Sequence, residues 1–168
     1  MDRIPLFFNH SLLVAGRGFI SRVAIEGRCI LERTGEDFVS FLGVNPGAAA
    51  GQGDTQGEAY HDLLENVRLV IVDLATEARR FEQFKDLVER FVLETNRPLE
   101  AAWHTAVEDV QAGKVDRSEY PRVLDAARPP SVSVELVAEQ RAGKAAPTRE
   151  LSPDLNQQDE EQLLAAYG

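Results

Sequence analysis

Hydrophobic positions alternate through residues 11–44 and then, from Thr55, recur every three or four residues, so the chain changes period from sheet to helix. In "GFISRVAIEG", Phe19, Val23 and Ile25 fall on one face and Arg22 and Glu26 on the other. The runs "RCILER" and "DFVSFLGV" flank "TGED", a short turn-forming run with a glycine. This pattern predicts a β-hairpin with Phe38, Leu42 and Val44 on one face of its second strand. Val39 and Phe41 break the alternation and point to a second packing layer.

From Thr55 onward Tyr60, Leu63, Leu64, Val67, Val70, Ile71, Leu74, Ala75, Ala78 and Phe81 form a broad apolar stripe. That spacing predicts a long amphipathic helix. Phe84, Leu87, Val88 and Phe91 continue it after a bend, and the Asn96–Pro98 stretch ends it. A further helix is expected from Leu99, with Ala102, Trp103, Ala106, Val107 and Val110 inward and Gly113 as terminator. "DRSEYPRVLDAA" predicts a short fourth helix, and "SVSVELVAE" alternates like a strand that returns to the sheet or pairs with a partner. From Gln140 the composition turns polar and Ala/Gly/Pro-containing, which reads as a flexible acidic tail. Its end, "DEEQLLAAY", reads either as a loosely docked terminus or as a short helix that folds on a partner through Leu163, Leu164 and Tyr167.

The stretch "NPGAAAGQGDTQGEA" between these regimes resembles a phosphate-binding loop in its glycine content. It lacks the chemistry. A P-loop needs a Lys and a Ser/Thr at the helix start, and here Asp54 and Glu58 bring negative charge instead. The dinucleotide fingerprint fails as well, because Gln56 stands where the third glycine belongs. Thr55-Gln56-Gly57-Glu58 matches a capping box, with the Thr55 hydroxyl accepting from the N–H three residues on and Glu58 reaching back. Gly53 is expected to supply a left-handed turn just before the cap.

"GEDFVSFLGVNPGAAAGQGDTQGEAYHDLLENVRLVIVDLA" resembles the HicB-type antitoxin domain. That family shows a "D-G-Y-x-V-x-F" strand, a "P-G" turn, a "G-D-T-x-x-E-A" signature and an amphipathic helix. The corresponding parts are Glu36–Phe41, Pro46-Gly47, Gly53-Asp54-Thr55 with Glu58-Ala59, and the helix from Tyr60. The resemblance spans about residues 10–80 and is strongest at 35–75. It departs at Val44-Asn45-Pro46-Gly47-Ala48, where the family has "D-L-P-G-C", and no basic DNA-binding appendage is evident in 99–168. The resemblance implies a partly ribonuclease-H-like sheet without catalysis, a domain that binds and masks a small basic ribonuclease toxin.

Charge bears on the partner. The chain of 168 residues has 18 Lys and Arg against 28 Asp and Glu, a formal net charge of −10. Binding to nucleic acid without a partner is disfavoured, since duplex binding rests on Lys and Arg displacing counterions from phosphates. An acidic surface suits a basic protein, and also suits solubility alone. Cys29 is the single cysteine, which rules out an internal disulfide, and a strand cysteine is expected to act as a small buried hydrophobe. His10, His61 and His104 are scattered without ligand spacing, so no metal, cofactor or catalytic residue is assigned. The first residues lack a basic lead and Asn9, His10 and Arg17 interrupt the apolar run, so neither a signal peptide nor a membrane span is expected. The cytoplasm is the expected compartment.

Together these readings predict an α+β fold: a small antiparallel sheet packed by a long amphipathic helix, with additional C-terminal helices and a strand. Three segments are expected, a HicB-like core over 1–95, a helical extension with the late strand over 96–139, and the tail over 140–168. The expected function is non-catalytic protein binding, with a basic toxin-like partner and homo-oligomerisation. An adaptor or assembly subunit that keeps the core for oligomerisation, and a hydrolase using acids or His61, are the alternatives. Phe38, Ser40, Leu42, Val134 and Leu136 are the candidate docking residues on strands, Leu163, Leu164 and Tyr167 those on the tail, and Gly53, Thr55 and Glu58 form the structural cap.

Overall fold

Gly18, at φ 80°, lets the chain reverse within two residues and folds residues 3–34 into one long hairpin. Only a glycine adopts that backbone cheaply. The computed structural model describes residues 3–42, 49–94, 96–115 and 129–139. Strand β1 (Arg3–Gly16) pairs antiparallel with β2 (Phe19–Thr34) along its whole length. A second turn, with Gly35 at φ 70°, leads to β3 (Asp37–Leu42), and β4 (Ala50–Gly53) pairs with β3. Three helices follow, α1 (Gln56–Glu77), α2 (Phe81–Leu93) and α3 (Arg97–Gln111). Strand β5 (Ser131–Glu139) closes the described chain.

The α+β class is therefore that of the sequence reading, with a five-stranded antiparallel sheet and three helices among the described residues. β2 organises the sheet. One of its edges carries all of β1, while the other is divided between β5, against Phe19–Glu26, and β3, against Cys29–Thr34. The sheet begins earlier than the alternation suggested, at Arg3, and takes in two strands beyond residue 45. "DRSEYPRVLDAA" and the tail from Gln140 lie outside the described residues.

Alternation in β2 builds two faces. Phe19, Val23, Ile25 and Cys29 point toward α1 and α2 and are almost wholly buried, joined by Phe8 and Val14 of β1. α1 lays Leu63, Val67, Ile71 and Ala75 on them, one residue per turn. A single straight helix would carry this stripe past the end of the sheet. The chain instead breaks at Ala78–Arg80, where both residues are extended, and α2 brings Phe81 and Phe84 within 6.0 and 5.3 Å of the Phe19 ring. On the opposite face α3 seats Trp103 against Phe7 and Ile30. Pro98 sits in the first turn of α3, where its missing N–H is harmless, Asn96 caps the helix, and Gly113 follows it at φ 71°.

The glycine cluster works differently from expectation. Gly53 is not left-handed; the positive-φ glycines among the described residues are Gly18, Gly35 and Gly113. Gly51 and Gly53 instead lie in a strand pressed against α1. A Cβ on Gly51 would fall 2.2 Å from the Leu63 nitrogen and 2.3 Å from the Ala59 oxygen, and one on Gly53 would fall 2.4 Å from the Glu58 Cβ. What these positions need is the absence of a side chain.

Candidate protein-binding surfaces

The junction at 53–58 is a closed structural device. Thr55 accepts from the Glu58 N–H at 3.2 Å, and the Glu58 carboxylate accepts from the Thr55 N–H at 3.1 Å. Both partners of the box are thereby satisfied, which anchors the start of α1 beside β4.

The same helix closes one edge of the sheet. Register places Gln52 and Ala50 of β4 with their outward main-chain groups facing away from β3. The Gln52 N–H donates to the Asp62 carboxylate at 3.0 Å, and the Ala50 carbonyl accepts from the Asn66 amide at 2.7 Å. Ser40, on the adjacent strand, donates its hydroxyl to the Ala59 carbonyl at 2.6 Å and is fully buried. β3 is thus an interior strand, flanked by β2 and β4, although the sequence reading placed the docking candidates Phe38, Ser40 and Leu42 on it. The reason is β4, formed by glycines that read as turn residues. Phe38 packs half-buried beside Ile4, Leu31 and Ala59, with the Arg33 guanidinium 5.9 Å from its ring. Leu42 pairs with Cys29.

Val134 is buried on the core face of β5, and Leu136 is exposed at 42%. A register shift between Ile20 and Ser21 of β2 disrupts the simple alternation of β5, and the Ser21 hydroxyl donates to the Glu135 carbonyl at 2.9 Å there. Leu163, Leu164 and Tyr167 lie outside the described residues.

Cys29 is buried, and burial pushes its thiol up to about 12. Its neighbour across the strand pair is Leu6, four residues from His10 on β1, so the two side chains are separated by roughly 13 Å at strand rise. A thiolate activated by His10 is excluded by that register. His10 is itself half-buried; desolvation lowers its pKa, opposed by Glu65 and reinforced by Arg68. His61 is exposed on α1, and His104 meets Trp103 edge-on. No group of three His, Cys, Asp or Glu side chains able to hold a metal gathers among the described residues. Nor does any described helix have the length and apolarity to cross a membrane.

Comparisons with family models, with curated proteins and with solved structures find no match to this chain.

Two surfaces stand out. The first is acidic. Asp73 and Glu77 on α1, and Glu82 and Asp86 on α2, are exposed pairs spaced four residues apart, with Arg79 and Arg80 at the junction between them. None of these four carboxylates has an ion pair or hydrogen bond among the described residues. Like charges at that helical spacing each cost about 0.2–0.5 kcal/mol. The second is the outer edge of β1, which no described strand covers. Sequence reasoning identified neither. The overall acidity suits solubility as well as a partner and singles out no residues, and an edge is a property of pairing that alternation does not encode. The Pro5 in β1 was the available signal, since prolines within sheets are confined to edges and bulges.

Proposed function

We propose that the chain is a non-catalytic protein-binding module of the HicB kind, whose acidic helical surface holds a small basic partner. The observation that carries this reading is the pair of unneutralised carboxylate pairs, Asp73 with Glu77 and Glu82 with Asp86. They sit on helices whose opposite faces are wholly committed to the core. Carboxylates that raise the folding free energy without an internal partner are accounted for by an external cation, and complementary charge speeds that encounter. The capping box, the strand-to-helix order and the net charge of −10 are compatible with the same reading.

The resemblance also names the class of partner, a basic ribonuclease, and cytoplasmic neutralisation as the role. Affinity purification of the chain from its source cells tests both. The expected catch is a small basic protein that cleaves RNA and is silenced when the purified chain is added back. A variant with Asp73, Glu77, Glu82 and Asp86 all changed to Lys should lose that protein while keeping its circular-dichroism spectrum. Undiminished capture by this folded variant, or a purified chain that recovers no protein, removes the proposal.

A further inference from the structure

Among the described residues β1 has one side that no strand pairs with, and the phase of that side is fixed twice over. A two-residue turn requires its closing pair, Gly16 with Phe19, to exchange hydrogen bonds. Counting back, Val14, Leu12, His10, Phe8, Leu6 and Ile4 bond to β2, while Ala15, Leu13, Ser11, Asn9 and Phe7 turn their N–H and C=O groups outward. Pro5 falls in the outward set, the only phase in which its missing N–H leaves the hairpin intact. Among the described residues nothing bonds to this outward row.

The other edges are defended. Asp62 and Asn66 occupy the outward groups of β4. β5 carries a register shift and the acids Glu135 and Glu139. Charges and bulges are the usual means of keeping strand edges from pairing. β1 has neither: its pairing to β2 is unbroken over fourteen residues, and from Ile4 to Gly16 it bears no Asp, Glu, Lys or Arg. In a chain of net charge −10, an uncharged edge of this length selects against a basic, charge-guided partner and suits a second copy of itself.

We infer that two copies of this chain join antiparallel through β1, with the dyad axis at Ser11. This goes beyond the masking role proposed above and stands whether or not that role is correct. The axis follows from Pro5, because the outward donors available beyond it are Phe7, Asn9, Ser11, Leu13 and Ala15, and Ser11 is their midpoint. In that register Ser11 faces Ser11 of the second copy, Asn9 faces Leu13, and Phe7 faces Ala15. Five facing pairs exchange roughly ten main-chain hydrogen bonds. The side chains taper in the sense that antiparallel self-pairing requires. Large residues at one end, Leu6, Phe7 and Phe8, meet small ones at the other, Gly16, Ala15 and Val14.

A strand edge alone falls short of the ~800 Å² per partner typical of a stable interface. The flank of α1 supplies the remainder. Tyr60, Leu64, Arg68 and Val72 recur every four residues on the side of α1 away from Asp62 and Asn66, and all four are half-buried. Tyr60, Leu64 and Val72 pack against the same core as Leu6 and Leu12 of β1, and α1 contacts β1. Arg68 is ion-paired with Glu65, so this strip brings no net charge to its copy. The dimer thereby extends two five-stranded sheets into one and leaves the acid pairs of α1 and α2 outside it.

Sedimentation velocity of the purified full chain across a concentration series tests the inference. The expected result is a concentration-dependent dimer. Ser11→Pro deletes the outward N–H at the axis without touching a bond to β2, and should raise the dimer dissociation constant about tenfold or more, from two lost hydrogen bonds per axis. Ser11→Lys, which sets like charges directly opposite, should act in the same direction if the proline variant folds poorly. Register is read with diamide oxidation: Ser11→Cys should cross-link rapidly, since facing Cα atoms lie about 5.5 Å apart, whereas Leu13→Cys, which faces Asn9, should not. Native Cys29 is buried and serves as the internal blank. A monomer at every concentration, a dimer indifferent to both Ser11 substitutions, or equal cross-linking at 11 and 13 overturns the inference.

Discussion

Replacing Gly51 with Ala is the sharpest test of how this fold is held. The added Cβ would lie 2.2 Å from the Leu63 nitrogen, 2.3 Å from the Ala59 oxygen and 2.8 Å from the Leu63 Cα, all of them backbone atoms. Backbone within a helix cannot rotate away, so β4 and α1 must separate by about 1 Å or more to restore ordinary contact distances. Overpacking a tight core by a methyl group costs about 1–3 kcal/mol. Separation also stretches the three ties across the gap, Ser40 to Ala59, Gln52 to Asp62 and Asn66 to Ala50. Each is worth about 0.5–1.5 kcal/mol when intact. The expected loss is therefore about 3 kcal/mol or more.

Gly57, in the same cluster, provides the opposite sign. No atom lies within 4 Å of its would-be Cβ, and it sits in the first turn of α1. Gly57→Ala should stabilise by about 0.5 kcal/mol through the unfolded chain and helix propensity. Urea denaturation followed by circular dichroism measures both variants against the parent. If Gly51→Ala falls within about 0.5 kcal/mol of the parent, inside the range usual for surface substitutions, the close approach of β4 to α1 is wrong.

Thr55→Ala should cost about 1 kcal/mol in the same melts by removing the hydroxyl of the capping box, and Thr55→Ser should restore most of it. Trp103→Ala should cost about 3–5 kcal/mol, since Trp103 is almost fully buried between Phe7, Ile30 and the Arg28 guanidinium, 4.6 Å from its ring. A small loss there would mean that α3 does not dock on the second face. His10 makes stability pH-dependent. Its folded pKa lies below 6.5, so the unfolded state binds more protons as pH falls through that value, and stability contributed above pH 6.5 is lost progressively below it. Urea midpoints at pH 7.5 and 5.5 should draw apart in the parent and converge in His10→Gln; parallel behaviour of the two proteins would show that His10 is equally solvated in both states.

Local patterns revealed the elements of this fold; pairing between distant elements decided the rest. Alternation in "GFISRVAIEG" assigned Phe19, Val23 and Ile25 to the core face correctly because, over this stretch, they alternate with Arg22 and Glu26, which stay at least partly exposed. The period of α1 and the capping box at Thr55 were equally legible, since each depends on residues within one or two turns. β4 was not. Ala50, Gly51, Gln52 and Gly53 have low intrinsic strand preference, and they form a strand because α1 offers Asp62 and Asn66 to their outward groups and room only for glycine. That tertiary choice moved β3 to the interior and converted Ser40 from a docking candidate on paper to a buried tie between sheet and helix. The bend expected before Phe84 was legible as an interruption, but its position at Ala78–Arg80 was not, because that stretch contains neither proline nor glycine and the break brings Phe81 and Phe84 to Phe19.

The way each edge is finished separates the two surfaces left available for partners. α1 spends its Asp62 side on closing β4, its central row on the core, and its Tyr60–Leu64–Arg68–Val72 row on the flank of β1. Its acids beyond residue 72 and those of α2 remain on the outward side. A helix has only about a 100° arc for each such task, so surfaces built from different arcs do not compete for one ligand. Self-pairing through an uncharged strand and capture of a cation by carboxylates are therefore compatible in one molecule. A dimer built on β1 carries two copies of the acidic surface, and a partner with two basic sites would gain avidity from both only if its sites span the distance between them.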